Sequence, residues 1–464
     1  MTRSQAARLL AGAVLGAVAL SGASARAAGI ITQFQGATLA QSGFVPPDMG
    51  GGVGDGYVVQ LLNGVATIDT TAGVQVSQNA IGTFFNSSSQ ISDPRIIYDP
   101  ASQRWFASAI TVNGGLGSPN SVLLAVSAGA NPTGSFTTLS FASASTTTFA
   151  DFPTLGVNNA AVTIGTNDFS TASGNAYLGS SLYSIPKSSL TAATATLTGQ
   201  SNFINTTQTG AAPQAVTSAG GSGSSTAVLS VGSSGANQVY ALSTVTGANA
   251  TGATLALTNI YNQPFNNALI APTQPGGSSY DPGDNRISSG PYQAGNNIYF
   301  ANTVSTGTQD QIAWNVLSAS SGSLSSGLIS ITGLNLTYGS IAGNANGTFV
   351  VSFNGSGAGQ NITDYYVICS AATSICGIPQ IAYTSLASNY VNAPGGTNRW
   401  GDYSWTTLDP TNQNDFWLFQ EYALSNSSWG TVTTEIGTAV PEPAGVALLG
   451  LGAVALGMIR RRAA

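Results

Sequence analysis

The chain has 464 residues, of which 42% are hydrophobic and only 6% charged, against the roughly 25% charge usual in soluble domains. There is enough apolar material for a core, so disorder is excluded. The complete absence of histidine removes Ser-His-Asp triads, histidine acid–base pairs and histidine-ligated metals from consideration.

In chain order, the first element is a targeting segment. Arg3 and Arg8 precede the apolar run Leu9–Leu20, and small residues follow at Ala23, Ala25 and Ala27. That order predicts a secretory signal peptide over residues 1–28, including its short helix. The stretch Met49-Gly-Gly-Gly-Val-Gly-Asp-Gly56 leads into a strand, not a helix, so it reads as a flexible turn and not as a phosphate loop.

The body, residues 45–437, carries short strand signals and no convincing helical period. Runs such as Tyr57–Leu62, Ser121–Val126, Asn297–Phe300, Thr348–Phe353 and Asp364–Ile368 are rich in β-branched and aromatic residues, with Gly, Ser, Asn and Thr clusters between them. Segments with a common pattern open near Asp48, Asp93, Asp151, Gln214, Arg286, Ser340 and Arg399. Two of them are closer still: each ends a strand in Asp-Pro (Asp99-Pro100, Asp409-Pro410) and opens the return strand on an aromatic (Trp105, Trp417). The expected class is all-β. Spacing of this kind predicts a β-propeller of about seven blades, with six to eight compatible.

The residues Asp93-Pro-Arg-Ile-Ile-Tyr-Asp99-Pro, Trp105-Phe106, Asp151-Phe-Pro, Thr166-Asn-Asp-Phe169 and Arg399-Trp-Gly-Asp402-Tyr resemble those of exported bacterial sialidase-like β-propeller proteins. The resemblance implies a propeller whose ligands bind at one mouth of the central channel. The Ser-x-Asp-x-Gly-x-x-Trp box of true sialidases is absent, which separates the architecture from the chemistry.

Charge is so scarce that its placement is informative. Arg95, Arg286 and Arg399 are expected at the starts of inner strands, with Asp48, Asp93, Asp151, Asp284 and Asp402 close to similar positions. Arg95, Arg286, Arg399 and Asp402 are therefore the candidate ligand-binding residues, because arginine forks pair with carboxylates. Candidate catalytic groups are Asp93 and Asp151 as a carboxylate pair, or Glu421 with Tyr403 or Tyr422 in the manner of a sialidase. The structural alternative is that Asp93–Arg95 and Arg399–Asp402 are ion pairs and turn caps that tie blades together. Asp281, Asp284, Asn285 and Asp402 could offer oxygens to calcium, but no calcium-loop spacing is present, and no cofactor is expected.

Cys369 and Cys376, the only cysteines, are expected to form a disulfide across a tight loop of an exported protein. The chain then ends in a second targeting pattern: Pro441-Glu442-Pro443, a sixteen-residue apolar run Ala444–Ile459, and Arg460-Arg461-Arg462. These three parts, over residues 440–464, resemble the PEP-CTERM sorting signal of Gram-negative bacteria. The resemblance implies a transmembrane helix with its arginines in the cytoplasm, cleavage by an exosortase, and release or attachment at the cell surface.

Between the two ends, five basic residues face sixteen acidic ones, a net charge of about −11. Such a body cannot neutralise phosphates, which excludes nucleic acid. The expected protein is an exported, non-catalytic surface or matrix component associated with exopolysaccharide. Its partners would be signal peptidase and exosortase, with the inner membrane engaged transiently. A sialidase-like glycan hydrolase and a β-sandwich adhesin are the alternatives.

Overall fold

A computed structural model describes residues 28–438, except for 113, 173, 219–222, 235–236, 264 and 266. The expected signal peptide up to residue 27, and the sorting signal with Pro441, Glu442, Pro443 and Arg460–Arg462, lie outside the described residues. No described helix is long and apolar enough to cross a membrane.

The strand signals resolve into seven antiparallel sheets of four or five strands, the blades of a β-propeller. Blade 1 is built from Gly50–Gly54, Tyr57–Leu62, Val65–Thr70 and Gln75–Ala80, and blade 2 from Ile91–Asp99, Arg104–Thr111, Ser121–Ser127 and Phe136–Ala142. The inner strands of blades 3, 4, 6 and 7 are Thr148–Asp151 with Gly156–Val157, Ala211–Ala215, Asn335–Gly343 and Trp405–Leu408. Blade 5 begins with Tyr292–Ala294, which pairs in parallel with Thr217–Ser218 arriving from blade 4. The ring is closed by Gly29–Thr38, which adds to Ser428–Gly437 as the outer strand of blade 7. The β-sandwich alternative is thereby corrected: the sheets follow one another around a channel instead of stacking in pairs.

The first and second strands of a blade lie between neighbouring blades, so their residues are buried on both faces, as in Asn335–Gly343 and Thr348–Gly357. Outer strands meet solvent and alternate or turn polar, as in Gln75–Ala80. Aromatic residues fill the space between blades. Tyr299, Trp314 and Phe349 interlock between blades 5 and 6, and Gly343 is needed there because a Cβ would strike the Tyr299 ring.

The low charge has a structural counterpart. Where polar groups are buried between blades they are mostly hydroxyls and amides that satisfy one another, as with Ser340, Ser352 and Thr406, mutually bonded at 2.7–2.8 Å across blades 6 and 7. Cys369 and Cys376 are joined by a disulfide at the outer part of blade 6. The two Asp-Pro hairpins both rest on their aspartates. Asp99 accepts the amides of Ala101 and Ser102, and Asp409 accepts those of Thr411 and Asn412 together with the Trp417 indole N–H.

Candidate functional site

The inner strands share a backbone device that places the charged residues. Asp48, Asp93, Phe152, Ala212 and Tyr338 all adopt positive φ, near 50°: Asp48 just before an inner strand, Asp93, Ala212 and Tyr338 within one, and Phe152 between the two pieces of another. For blades 2, 4 and 6 the register breaks at this point, between Ser92 and Arg95, Ala211 and Gln214, and Thr337 and Ser340. Each is a bulge that turns the following side chain inward.

Those side chains link consecutive blades. Arg95 Nε donates to Pro153 O at 2.9 Å, Thr154 Oγ1 to Pro213 O at 2.7 Å, and Gln214 Nε2 to Ile287 O at 2.7 Å. Blades 2, 3 and 4 thus each bond to backbone at the inner edge of the next blade or leading into it. Arg95 also reaches Ser288 O at 3.0 Å, well around the ring. Its guanidinium lies over Tyr403 at 4.0 Å from the ring centroid, with Phe152 at 4.9 Å and Trp405 at 5.4 Å. Arg95 is wholly buried and plugs the channel. The position expected to present a fork to ligand is sealed by aromatic rings.

The other two arginines belong to connectors, not to inner-strand starts. Arg286 lies in the irregular stretch 263–291 before blade 5 and Arg399 in 385–404 before blade 7, which corrects the expected placement. Both are partly exposed, and both have carboxylate partners. Arg286 Nε bonds Asp284 at 2.7 Å and its guanidinium covers Phe152 at 4.4 Å, while Arg399 bonds Asp402 at 2.5 Å and lies 3.4 Å from Asp281. Burial opposes their charge, but these carboxylates outweigh it and hold both guanidinium groups above their ordinary range. A cleft of only about 20 Å³ remains beside Asp284, Arg286, Tyr338 and Asp402.

The acidic residues converge on the same mouth. Asn63 organises two of them: its Nδ2 donates to Asp48 Oδ2 at 2.8 Å and its Oδ1 accepts the Asp93 amide at 2.9 Å. Asp48 Oδ1 accepts the Asp402 amide at 3.0 Å. Glu421 Oε2 accepts the Gly401 amide at 2.6 Å, and Trp400 donates to Asn354 Oδ1. Burial pushes Glu421 and Asp48 well above the usual carboxylate range, and Asp402 upward against the pull of Arg399. Asp151 rises to about 7, through burial and then the repulsion of Asp93.

The sialidase-like pairing is not assembled. Glu421 and Tyr422 are successive residues of one strand and face opposite ways, Glu421 toward Gly401 and Tyr422 against Tyr383. Tyr403, the other candidate, is packed between Arg95 and Phe152. At the expected calcium position, Asp284 is taken by Arg286 and Asp281 caps the Gly283 amide, and no cluster of three acidic or cysteine ligands is found among the described residues.

Composition and spacing gave no sign of a larger recess at the opposite end of the channel. It has a volume of about 70 Å³ and lies between the far ends of the inner strands, bordered by Tyr98, Thr217, Tyr292, Trp405, Thr407 and Gln413. The signal that could have found it is the residue set where inner strands end, at Tyr98-Asp99-Pro100 and Thr407-Leu408-Asp409-Pro410.

The fold and these sites define a seven-bladed β-propeller whose channel is plugged at one mouth and open at the other. No family model and no curated protein matches the chain. Among solved structures it is similar to the α-L-arabinanase of Penicillium chrysogenum, at 9% identity over 87% of this chain and 98% of that one, with a TM-score of 0.37. It is also similar to the α-L-arabinofuranosidase Arb93A of Fusarium graminearum, at 9% identity over 88% and 97%, TM-score 0.38. A third is the β-propeller domain of the Trilobed protease of Pyrococcus furiosus, at 8% identity over 86% and 98%, TM-score 0.39.

Proposed function

We propose that this protein is an exported cell-surface or extracellular-matrix component that associates with exopolysaccharide without cleaving it. The observation that carries the non-catalytic reading is how the charged groups at the mouth are engaged. Arg95 bonds backbone carbonyls inside the channel, Glu421 and Asp48 accept backbone amides, and Arg286 and Arg399 have carboxylate partners. Groups engaged in this way hold loops and blades together and are poorly placed to change protonation around a substrate. Export is supported by the N-terminal leader and by the tripartite Pro441-Glu442-Pro443, apolar run and arginine cluster.

The test is fractionation of cells expressing the full chain. The protein is expected with the extracellular matrix, and replacement of Pro441, Glu442 and Pro443 by alanine should retain it at the inner membrane. Recovery in the cytoplasm would refute the reading.

One feature favours a second reading, glycoside hydrolysis with Asp151 as general acid and Asp93 as its partner. A carboxyl group pushed up to about 7 is suited to donate a proton near neutral pH. Turnover on a polysaccharide panel that is lost in Asp151→Asn would establish it. Absence of turnover across the panel would leave the non-catalytic reading.

A further inference from the structure

We infer that an uncharged groove between blades 1 and 2, on the outside of the ring, binds a segment of neutral polysaccharide. This names the ligand class within the exopolysaccharide reading and rests on it.

The groove follows from the alternation of the outer strand of blade 2, Phe136–Ala142. Leu139 and Phe141 are partly buried, and Phe141 meets Tyr183 of blade 3 at 4.8 Å between ring centroids. Phe136, Thr138, Ser140 and Ala142 therefore face blade 1. Blade 1 leaves Ser140 and Ala142 exposed, because its outer strand ends at Ala80 and the chain turns away through the single helical turn Ile81–Phe84, anchored by the wholly buried Phe85. What remains is a space of about 820 Å³ beside Thr138, Ser140 and Ala142 and another of about 370 Å³ beside Phe84 and Phe136, with Asn86 on the border of both.

Size is the first argument. The cleft at the charged mouth and the recess at the far end of the channel hold about 20 and 70 Å³, far below the roughly 300–1,000 Å³ of small-ligand sites. Both parts of the outer groove reach that range, and Phe136–Ala142 runs beside them for about 20 Å.

The second argument is the character of the walls. The Asn86 amide and the Ser140 and Thr146 hydroxyls belong to exposed residues and make no side-chain hydrogen bond among the described residues. The wall behind them is fixed: Asn120 exchanges two bonds with the Ala150 backbone, each of 2.8 Å, and Ser143 Oγ donates to Thr148 O at 2.7 Å. At the other part of the groove the half-buried Phe84 and Phe136 rings pack at 4.6 Å. Uncharged hydrogen-bonding groups on a fixed wall, with aromatic carbon beside them, complement a chain of sugars, which presents hydroxyls and C–H faces together.

The third argument is charge. No charged residue lines either part of the groove. A uronate or sulfated chain would lose hydration there with no cation to replace it, against a body that carries five basic and sixteen acidic residues. A protein partner would want an apolar anchor at the centre of its contact, whereas hydroxyls line the larger part of this groove.

The test is calorimetric titration of the full chain with dextran, galactan and mannan, and with polygalacturonate. At least one neutral polymer should bind saturably with little dependence on salt, and polygalacturonate should bind at least about tenfold more weakly. Ser140→Trp fills the groove from an exposed strand position and should weaken binding at least about tenfold, and Asn86→Ala about threefold. Ser325→Trp, the same change at an exposed position on the outer strand of blade 5, should leave binding unchanged. Near-ultraviolet circular dichroism and Tm should show the blades intact in all three variants.

Binding that persists in Ser140→Trp, or that falls as far in Ser325→Trp, would overturn the inference, as would polygalacturonate binding as tightly as the neutral polymers. Self-association that is lost in Ser140→Trp would overturn it too, by seating a second copy in the groove. If no neutral polymer binds but the protein still fractionates with the matrix, the groove is refuted and the surface reading stands. If neutral polymers bind with the expected variant pattern but the protein is cytoplasmic, the groove is supported and the surface reading falls.

Discussion

Arg95 carries a positive charge into the centre of the protein, and burial draws its pKa below the ordinary arginine range, with Tyr403, Asp93 and Asp48 pulling the other way. It stays charged because its hydrogen bonds and the three rings around it replace lost hydration. Removing the side chain strands Pro153 O and leaves a void between aromatic rings. Arg95→Ala should therefore cost about 3–5 kcal/mol in urea unfolding. Arg95→Met, which keeps most of the volume, should cost less, and Arg95→Lys should not rescue because an ammonium cannot stack or fork in the same way. A neutral Arg95→Ala would show that the plug is not structural. Acidic residues make the complementary prediction. Asp151 is pushed up to about 7 and Asp69 to about 6, both by burial first, so between the unfolded carboxylate value and these values the folded state binds more protons than the unfolded. Stability from these groups is then greatest at acid pH and falls as pH rises toward 7, the reverse of a salt-bridged carboxylate. The Tm should be higher near pH 5 than near pH 7.5, and Asp151→Asn should flatten that slope. A Tm that rises with pH over this range would contradict the assignment.

At the scale of the element, the inner strand is defined by its bulge and the side chain that follows. Thr154 is the simplest case: its hydroxyl donates to Pro213 O at 2.7 Å and accepts the Gly165 amide at 2.9 Å. Gly165 is glycine because a Cβ there would meet Pro213 O and Thr154 Oγ1. Thr154→Val keeps the shape and removes both bonds, leaving two buried backbone groups unpaired, so it should cost about 1–3 kcal/mol in denaturant unfolding. A loss below a few tenths would mean that water replaces the hydroxyl. This element also shows what a reader of the sequence can and cannot obtain. Asp93-Pro-Arg95, Asp151-Phe-Pro153, Pro213-Gln214 and Tyr338-Gly-Ser340 were legible as openings because proline or glycine beside a strand signal marks a break in the ladder. Asn285-Arg286 and Asn398-Arg399 have the same polar-then-apolar composition but belong to connectors, since nothing local tells a residue that precedes a strand from one held by a distant partner. The site was legible as a gathering of charges, not as a plug, because burial of Arg95 depends on Tyr403 and Trp405, three hundred residues away in chain order.

For the whole molecule, the controlling contact is the closure of the ring, and it was invisible in the sequence because Gly29–Thr38 pairs with a strand some four hundred residues later. Its Gln33 donates to Thr434 Oγ1 and to Ala382 O, and Phe34 meets the Trp417 ring edge at 6.5 Å. Blades 1 and 7 are joined independently through Gln60, which donates to Thr433 Oγ1 and accepts from Thr431 Oγ1. Deleting residues 29–38 therefore removes one of two fastenings and leaves the edge of Ser428–Gly437 without a partner. Hydrogen exchange should separate these roles. Amides of Ser428–Gly437 should lose protection first, followed by Gly50–Gly54 at the blade 1 junction, while Ala161–Ser170 on the far side of the ring should change little. Equal loss everywhere would instead make the ring one cooperative unit that opens all at once.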